Sequence, residues 1–289
     1  MKPFAYQAPV SIEAAVALLA EYGPRARPLA GGTDLLVQLR RGASDAALLV
    51  DVKRIPDLTR ITFDPVSGLT FGAAVSCAEL CEHPDVRAHY PGLVDAVRII
   101  GGAAIQNRAT VGGNLCNATP SGDSIPALIV LGAEAQLTGA DSTRCVPVRD
   151  FCTAPGKTVR QPGEMLVALR VPPPAARSGA AYLRFIPRAE MDIAVAGAGA
   201  WLQLAADGTI ADARIALSAV APTPLFVAEA GAALIGQRPT EDAFAAAAAI
   251  AQEACRPITD VRGTAEQRRH LVGVLVKRAL RMASERVAS

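Results

Sequence analysis

The chain has 289 residues, of which 51% are hydrophobic and 4% aromatic, and its formal net charge is +2. This length suits about two domains with a sizeable aliphatic core, while the scattered basic residues exclude the basic patch of a nucleic-acid-binding protein. The N-terminal residues form no apolar signal segment, and no run reaches the ~20 apolar residues of a membrane span. We therefore expect a cytoplasmic protein with no membrane span that binds no nucleic acid.

The N-terminal part of the chain, about residues 1–56, alternates strand-like and helix-like segments. Ser11 offers an N-cap to a helix over Ile12–Tyr22, whose apolar positions recur at helical spacing until Gly23 ends it. A second helix is predicted over residues 34–41, and strands over residues 4–8, 26–30 and 47–52. The pattern is that of a compact βαβαβ unit.

The pattern changes to strand-like alternation after Pro56, in the part formed by residues 57–174. Ser76 and Glu79 form a capping box for a short helix, and the stretch from Ala109 to Asp123 is predicted as a loop of small and polar residues. Helices are predicted over residues 77–83 and 91–100, and strands over residues 58–63, 68–72, 134–138, 144–148 and 165–171. This mixture favours an α+β class over a doubly wound parallel sheet.

Three consecutive prolines, Pro172 to Pro174, mark the clearest domain boundary because they continue neither periodic element. We expect domains over residues 1–174, with subdomains of about 1–56 and 57–174, and over residues 175–289. In the second domain, strands are predicted over residues 181–186, 193–204 and 210–220, with helices over residues 241–255 and after the Thr264–Gln267 capping box.

Two glycine-containing segments stand out, Ala30 to Leu35 and Thr110 to Asn114. Paired glycines let the main chain approach a ligand without a Cβ in the way, and consecutive N–H groups can converge on an anion. Either segment alone is equally well an ordinary tight turn. Together they predict two loops that face each other across one phosphate-bearing cofactor.

The sequence lacks the common nucleotide-binding, hydrolytic and metal-binding motifs. The dinucleotide fingerprint, the phosphate-binding loop and the nucleophile elbow are absent, and no catalytic residue is predicted. The six cysteines contain no C-x-x-C pair and are expected to be reduced, buried thiols rather than ligands of an iron–sulfur cluster. His83, His89 and His270 lack partners at metal-ligand spacing, so we expect no metal site.

The two glycine segments, with the residue pattern from Pro162 to Leu166 and from Arg188 to Ala194, resemble the FAD-binding (medium) subunit of the molybdenum hydroxylases. This is the family of xanthine dehydrogenase and carbon monoxide dehydrogenase, and the resemblance covers essentially the whole chain. It implies a p-cresol-methylhydroxylase-type FAD-binding domain of two α+β subdomains. A smaller α+β C-terminal domain of the CO dehydrogenase flavoprotein type would follow.

The resemblance also implies which residues bind FAD. Ile100 matches a position beside the flavin ring where some relatives have phenylalanine, and Leu166 would contact the cofactor through its backbone. Arg184 falls near a position where relatives carry a lysine close to the flavin, its alternative being a surface arginine on a strand. The pyrophosphate would lie on the backbone of Ala30, Gly31, Gly32, Thr33 and Asp34 and on Thr110, Gly112, Gly113 and Asn114. Leu35 would also contact the cofactor, with further hydrogen bonds from Asn117 and Asp123.

In such a complex the chain would be an oxidoreductase subunit for electron transfer. Electrons would pass from [2Fe–2S] clusters of a small partner subunit through FAD to NAD or another acceptor, and a large subunit would hold the molybdenum cofactor. A dimer of heterotrimers is the expected assembly. Two alternatives remain open, a self-sufficient FAD-dependent oxidase on the same fold and a scaffold subunit that has lost its flavin.

Overall fold

The computed structural model describes residues 2–288, apart from the side chain of Ala288. Along the chain a small parallel unit, an antiparallel unit and a C-terminal unit follow one another, each combining a sheet with helices. The predicted α+β class is confirmed. Among these residues no helix is both long and apolar enough to cross a membrane.

The first unit is a parallel sheet in the order β1-β3-β2, flanked by two helices. Ser11 caps the first helix by accepting a hydrogen bond from the Ala14 N–H at 3.2 Å, as its sequence predicts. Because the strands are parallel, β2 and β3 end at the same edge, and this edge carries the first glycine segment. The elements are β1 (Ala5–Gln7), α1 (Ile12–Tyr22), β2 (Ala26–Leu29), α2 (Leu35–Arg40) and β3 (Leu48–Asp51).

The second unit is an antiparallel sheet in the order β4-β5-β10-β6-β7, with helices packed against its core. Phe71, Leu137 and Leu169 from the sheet and Leu93 and Leu128 from the helices are fully buried together. Its elements are β4 (Ile61–Asp64), β5 (Gly68–Gly72), α3 (Cys77–Glu82), α4 (Pro84–His89), α5 (Pro91–Val97), α6 (Ala103–Gln106), α7 (Val111–Asn117), α8 (Ser124–Val130), β6 (Glu134–Thr138), β7 (Thr143–Pro147), β8 (Cys152–Ala154), β9 (Lys157–Thr158) and β10 (Met165–Val171).

Local signals in this unit predict some elements correctly and others wrongly. The Ser76–Glu79 capping box is present, with both reciprocal hydrogen bonds. The strand expected from residue 58 begins only at Ile61, because Leu58 is fully buried in a 3₁₀ turn over Pro56–Leu58 and packs with the first unit. The helix expected over residues 91–100 ends at Val97.

The stretch from Ala109 to Asp123 is not the uninterrupted loop that its composition predicts, because it contains α7. Glycine costs a helix about 1 kcal/mol relative to alanine, and α7 carries two of them. The Thr110 hydroxyl accepts a hydrogen bond from the Gly113 N–H at 2.9 Å, and Leu115 is fully buried. Capping and burial therefore override the local preference of the glycines.

The C-terminal unit is an antiparallel sheet in the order β11-β12-β13-β14. Helices α10 and α11 pack against it through alanine-rich faces. Helices α5 and α8 of the second unit also contact this sheet. Small residues permit this, since a Cβ on Gly199 would lie 3.0 Å from the Pro126 carbonyl oxygen. The elements are β11 (Ser178–Phe185), β12 (Ala196–Leu204), β13 (Ile210–Ser218), β14 (Leu225–Phe226), α9 (Ala228–Ala232), α10 (Glu241–Ala254) and α11 (Ala265–Ala288).

Candidate cofactor-binding site

A cavity of about 430 Å³ lies between the first and second units and is lined by both glycine segments. Its size falls within the roughly 300–1,000 Å³ of small-molecule and cofactor pockets. The predicted juxtaposition of the two segments is therefore confirmed. Leu19, Val52, Ile100 and Leu166 supply apolar surface to the lining.

Gly31 brings the first segment into contact with the backbone just before the second segment. A Cβ at this position would lie 2.0 Å from the Arg108 carbonyl oxygen, so only glycine allows this approach. The next residue, Gly32, has φ +77°, a left-handed conformation that favours glycine. The fold itself therefore requires both Gly31 and Gly32, whether or not a ligand is bound. The close approach at Gly31 shapes the cavity wall.

The first segment is held by an ion pair at the ends of the parallel strands. The Lys53 ammonium donates to the Ala30 carbonyl oxygen at 3.1 Å and to Asp51 Oδ1 at 2.6 Å. The Tyr6 hydroxyl donates to the other carboxylate oxygen of Asp51 at 2.6 Å. With these donors the pKa of Asp51 is lowered, although its burial opposes the change.

The two glycines of α7 have different surroundings. A Cβ on Gly112 would lie 2.4 Å from the Ala73 carbonyl oxygen, so this glycine is needed for packing against the end of β5. A Cβ on Gly113 would lie 2.9 Å from the Thr110 hydroxyl oxygen. Apart from its chain neighbours and the backbone of its own helix, it would have no other neighbour among the described residues within 4 Å. Gly113 is therefore the residue of the pair that leaves space on the cavity side.

One hydrogen bond between side-chain amides connects the two walls, and a second hydrogen bond fixes an asparagine within the α7 wall. The Gln38 amide donates to Asn117 Oδ1 at 2.9 Å, which links α2 to α7. The Ser124 hydroxyl donates to Asn114 Oδ1 at 2.7 Å. Each asparagine thus accepts through its carbonyl oxygen, and its NH₂ group is the donor it can offer to a ligand.

The cavity lining carries charges of both signs. Arg27 and Arg160 face the same space, and partial burial together with the positive charge of Arg160 lowers the pKa of Arg27. Partial burial raises the pKa of Asp34. Glu164 accepts from Arg144 at 2.7 and 2.9 Å, and this pairing lowers the pKa of Glu164. Among residues 2–288, neither Arg27 nor Arg160 has a carboxylate within ion-pair distance, so the positive charge of both suits an anionic ligand.

Two of the predicted cofactor residues, Asp123 and Arg184, do not line the cavity. They form an ion pair with each other, and both side chains are less than 10% exposed, so the alternative of a surface arginine is wrong. Burial raises the pKa of Asp123, against the opposing effect of Arg184. The other thirteen predicted cofactor residues do line the cavity: Ala30, Gly31, Gly32, Thr33, Asp34, Leu35, Ile100, Thr110, Gly112, Gly113, Asn114, Asn117 and Leu166.

The residues present fit a dinucleotide cofactor. The walls contain backbone segments whose close approach only glycine allows. Arginines and amide NH₂ groups can bind a pyrophosphate, and aliphatic side chains can contact planar rings. Among residues 2–288, no group of three or more histidine, cysteine or acidic side chains is arranged to hold a metal ion.

Comparison with known proteins identifies the family. Residues 2–174 match the family model of the FAD-binding domain in molybdopterin dehydrogenase, and residues 181–283 match the CO dehydrogenase flavoprotein C-terminal domain. The chain belongs to the FAD-binding (medium) subunits of the molybdenum hydroxylases. It is accordingly an oxidoreductase subunit with FAD as its cofactor, and the predicted two-domain flavoprotein fold is confirmed.

Individual relatives agree over the full length of this flavoprotein subunit. It is 35% identical to the carbon monoxide dehydrogenase medium chain of Hydrogenophaga pseudoflava, over 99% of this chain and 98% of the relative. It is 32% identical to a putative xanthine dehydrogenase FAD-binding subunit of Escherichia coli, over 98% and 96%. The structure of reconstituted CO dehydrogenase from Oligotropha carboxidovorans superposes with a TM-score of 0.94 at 34% identity, over 99% of both chains.

Several residues of the site were not predicted from the sequence of this flavoprotein subunit. Lys53 had a usable signal, since Asp51 is the last residue of a strand whose end meets the first glycine segment and Lys53 follows it closely. Arg27 and Gln38 lie within predicted elements, where nothing in the periodicity distinguishes a ligand-facing side chain. Arg160 lies just after a two-residue strand that no local pattern predicted.

Proposed function

We propose that this subunit passes electrons from [2Fe–2S] clusters of a partner subunit through its FAD to NAD or another acceptor. The observation that carries the proposal is the cavity whose two walls are the glycine segments. When bound there, FAD supplies a centre that takes up electrons singly and delivers them in pairs. The residues of the chain position and tune it, and none acts as acid, base or nucleophile.

Within the cavity we assign the pyrophosphate to the backbone of the two glycine segments. Lys53 keeps the first segment in place through the Ala30 carbonyl oxygen. Arg27 and Arg160 supply positive charge to the same space, which would offset the negative charge of the pyrophosphate. Ile100 would contact the flavin ring as an aliphatic side chain, in place of an aromatic stacking partner.

The proposed assembly places the molybdenum cofactor on a large subunit and the [2Fe–2S] clusters on a small subunit, in a dimer of heterotrimers. Support comes from the relative in Hydrogenophaga pseudoflava, which is named a medium chain and so is the middle-sized chain of a larger enzyme. We place the domain boundary after Pro174, so that residues 1–174 bind FAD and residues 175–289 form the C-terminal domain. A cytoplasmic location stays a prediction.

The composition of the cavity favours electron transfer over a self-sufficient oxidase. Of the described residues, the lining includes no histidine, the side chain that most often transfers protons in enzymes. Its carboxylates are Asp34, whose pKa is raised by partial burial, and Glu164, which is engaged by Arg144 at 2.7 Å. The glycine segments also argue against a flavin-free scaffold, because their backbone forms an open cavity.

Purification of the native complex tests this function. Mass spectrometry of the co-purifying chains, with flavin and metal analysis, should find FAD, molybdenum, iron and two further subunits. Turnover of a small substrate by the lone chain would support the oxidase alternative. Full activity of a complex reconstituted without FAD would support the scaffold alternative.

A further inference from the structure

A buried polar network joins the C-terminal unit to the second unit beside the cavity. Arg184 on β11 forms an ion pair with Asp123, which precedes α8, and the two side chains are 7% and 9% exposed. The Tyr182 hydroxyl donates to Asp123 Oδ1 at 2.8 Å and lies 3.0 Å from the Ser218 hydroxyl. Tyr182 and Arg184 are two residues apart on one strand and therefore point to the same face of the sheet.

Gly197 on β12 leaves the space that this network occupies. A Cβ at Gly197 would lie 2.3 Å from the Tyr182 hydroxyl oxygen and 2.3 Å from Ser218 Oγ. Gly197 pairs with Arg184 on one side and with Ser218 on the other. Strand β12 thus carries glycine at a position where a side chain would separate these polar groups.

The network reaches the cavity through the turn at residues 99–101. The second guanidinium nitrogen of Arg184 donates to the Ile99 carbonyl oxygen at 2.7 Å, and the next residue, Ile100, lines the cavity. This turn follows the end of α5 at Val97, where carbonyl groups have no partner within the helix. Gly101 then reverses the chain with φ +64°.

We propose that Arg184 is a positioning residue, which fixes the turn at residues 99–101 so that Ile100 keeps its place beside the flavin ring. Asp123 and Tyr182 orient its guanidinium, and the C-terminal domain thereby acts on the flavin without touching it. The inference rests on the proposed placement of FAD in the cavity. It differs from direct binding, because Arg184 and Asp123 lie outside the cavity lining and satisfy each other.

Stability alone does not account for this arrangement. A buried ion pair often contributes no more to stability than well-packed apolar residues of similar volume. Here the guanidinium spans two acceptors on different segments, the Asp123 carboxylate and the Ile99 carbonyl oxygen. The planar guanidinium holds both acceptors in one fixed geometry from two separate nitrogens, whereas the ammonium of lysine is a point charge on a flexible stem and imposes no such geometry.

Hydrogen exchange of the full-length chain, with and without FAD, tests the proposal in the variant Arg184→Lys. We expect the backbone amides of residues 99–102 to exchange about tenfold faster than in the wild type, the effect of losing one charge-assisted hydrogen bond. The visible circular dichroism of bound FAD should change as well. Tyr182→Phe, which retains the guanidinium, should shift both readouts in the same direction by less, and it remains informative if Arg184→Lys fails to fold.

The matched control is Arg268→Lys, which makes the same change within the C-terminal unit. The Arg268 guanidinium is also buried, donates to the Val195 carbonyl oxygen at 2.7 Å and pairs with Asp260 at 2.6 Å. Exchange at residues 99–102 that is equal in Arg184→Lys and this control, with unchanged dichroism, would overturn the inference. A wild-type chain that takes up no FAD would instead contradict the proposed function, and exchange in the FAD-free chain would still test the contact itself.

Discussion

At the scale of single residues, the cavity depends on contacts between backbone atoms. Gly31 and Arg108 belong to different units and approach so closely that one methyl group would collide with a carbonyl oxygen. Lys53, Asp51 and Tyr6 hold the neighbouring peptide from the other side. A ligand in this cavity thus meets a wall whose position is set by the protein before binding.

The variant Gly31→Ala tests that wall. Because the new Cβ would lie 2.0 Å from the Arg108 carbonyl oxygen, the first segment and the backbone at Arg108 must move apart, at a cost of about 1–3 kcal/mol of stability. We expect FAD to bind at least about tenfold more weakly, since about 1.4 kcal/mol corresponds to a factor of ten. Titration with FAD and urea unfolding measure the two effects.

Gly139→Ala is the matched control, because its nearest neighbour would be Glu164 Cγ at an ordinary 3.5 Å. Its stability should stay within about 0.5 kcal/mol of the wild type. If Gly31→Ala bound FAD as tightly as Gly139→Ala, the close contact would not shape the binding site.

Glu164 gives the cavity rim a defined pH dependence. Hydrogen bonds from Arg144 lower its pKa below the ordinary value of 4.5, so the pair stabilises the fold above that pH and the contribution is lost as pH falls through the lowered pKa. Glu164→Gln should lower stability at neutral pH by about 1 kcal/mol, because the Arg144 side chain is about a third exposed and solvent screens the pair. Urea unfolding from pH 7 down to about pH 3 should show the difference shrinking below roughly pH 4.5. A difference that stayed constant over this range would contradict the assignment.

Among the elements of the site, helix α7 depends strongly on its N-cap, because two glycines lower the helix propensity of its first turn. Thr110→Ala removes the hydroxyl that accepts from the Gly113 N–H at 2.9 Å, and loss of such a cap costs about 1 kcal/mol. With two glycines in the first turn, we expect α7 to fray and FAD affinity to fall. Thr110→Ser keeps the hydroxyl and should behave like the wild type in the same titration. Equal affinity of Thr110→Ala and Thr110→Ser would show that the cap is not needed.

Elements with strong local signals could be predicted from the sequence. Ser11 and the Ser76–Glu79 box mark helix starts because capping needs only neighbours within one turn. The glycine segments could be recognised because their composition is rare in helices and strands. Helix α7 could not be predicted, since its stability comes from buried contacts such as that of Leu115, which local propensity does not contain.

Long-range pairing sets the other limit on prediction. The Arg184–Asp123 ion pair joins residues 61 positions apart, and the Gln38–Asn117 hydrogen bond joins residues 79 apart. The family resemblance predicted that Arg184 and Asp123 lie near the cofactor. Only the three-dimensional arrangement distinguishes a residue in the cavity wall from one behind it. Side-chain direction is decided by packing between units.

At the scale of the whole molecule, the two domains share buried surface. Trp201, the only tryptophan in the sequence, lies on β12 yet packs in the core of the second unit at 7% exposure. The Arg214 guanidinium lies 4.4 Å from its ring centroid. We expect the domains to unfold together, so tryptophan emission and far-ultraviolet circular dichroism should follow one transition in urea. Exposure of Trp201 before loss of secondary structure would show that the domains separate first.

The cavity between the two glycine segments is expected to hold one FAD per chain. Calorimetric titration of the flavin-free chain with FAD, and in parallel with FMN, measures both stoichiometry and affinity. We expect saturation at one FAD per chain, weaker binding of FMN, which lacks the adenylate half, and a large loss of FAD affinity in Gly31→Ala but not in Gly139→Ala. Absence of saturable FAD binding by the folded wild-type chain, or equal affinity in both glycine variants, would contradict it.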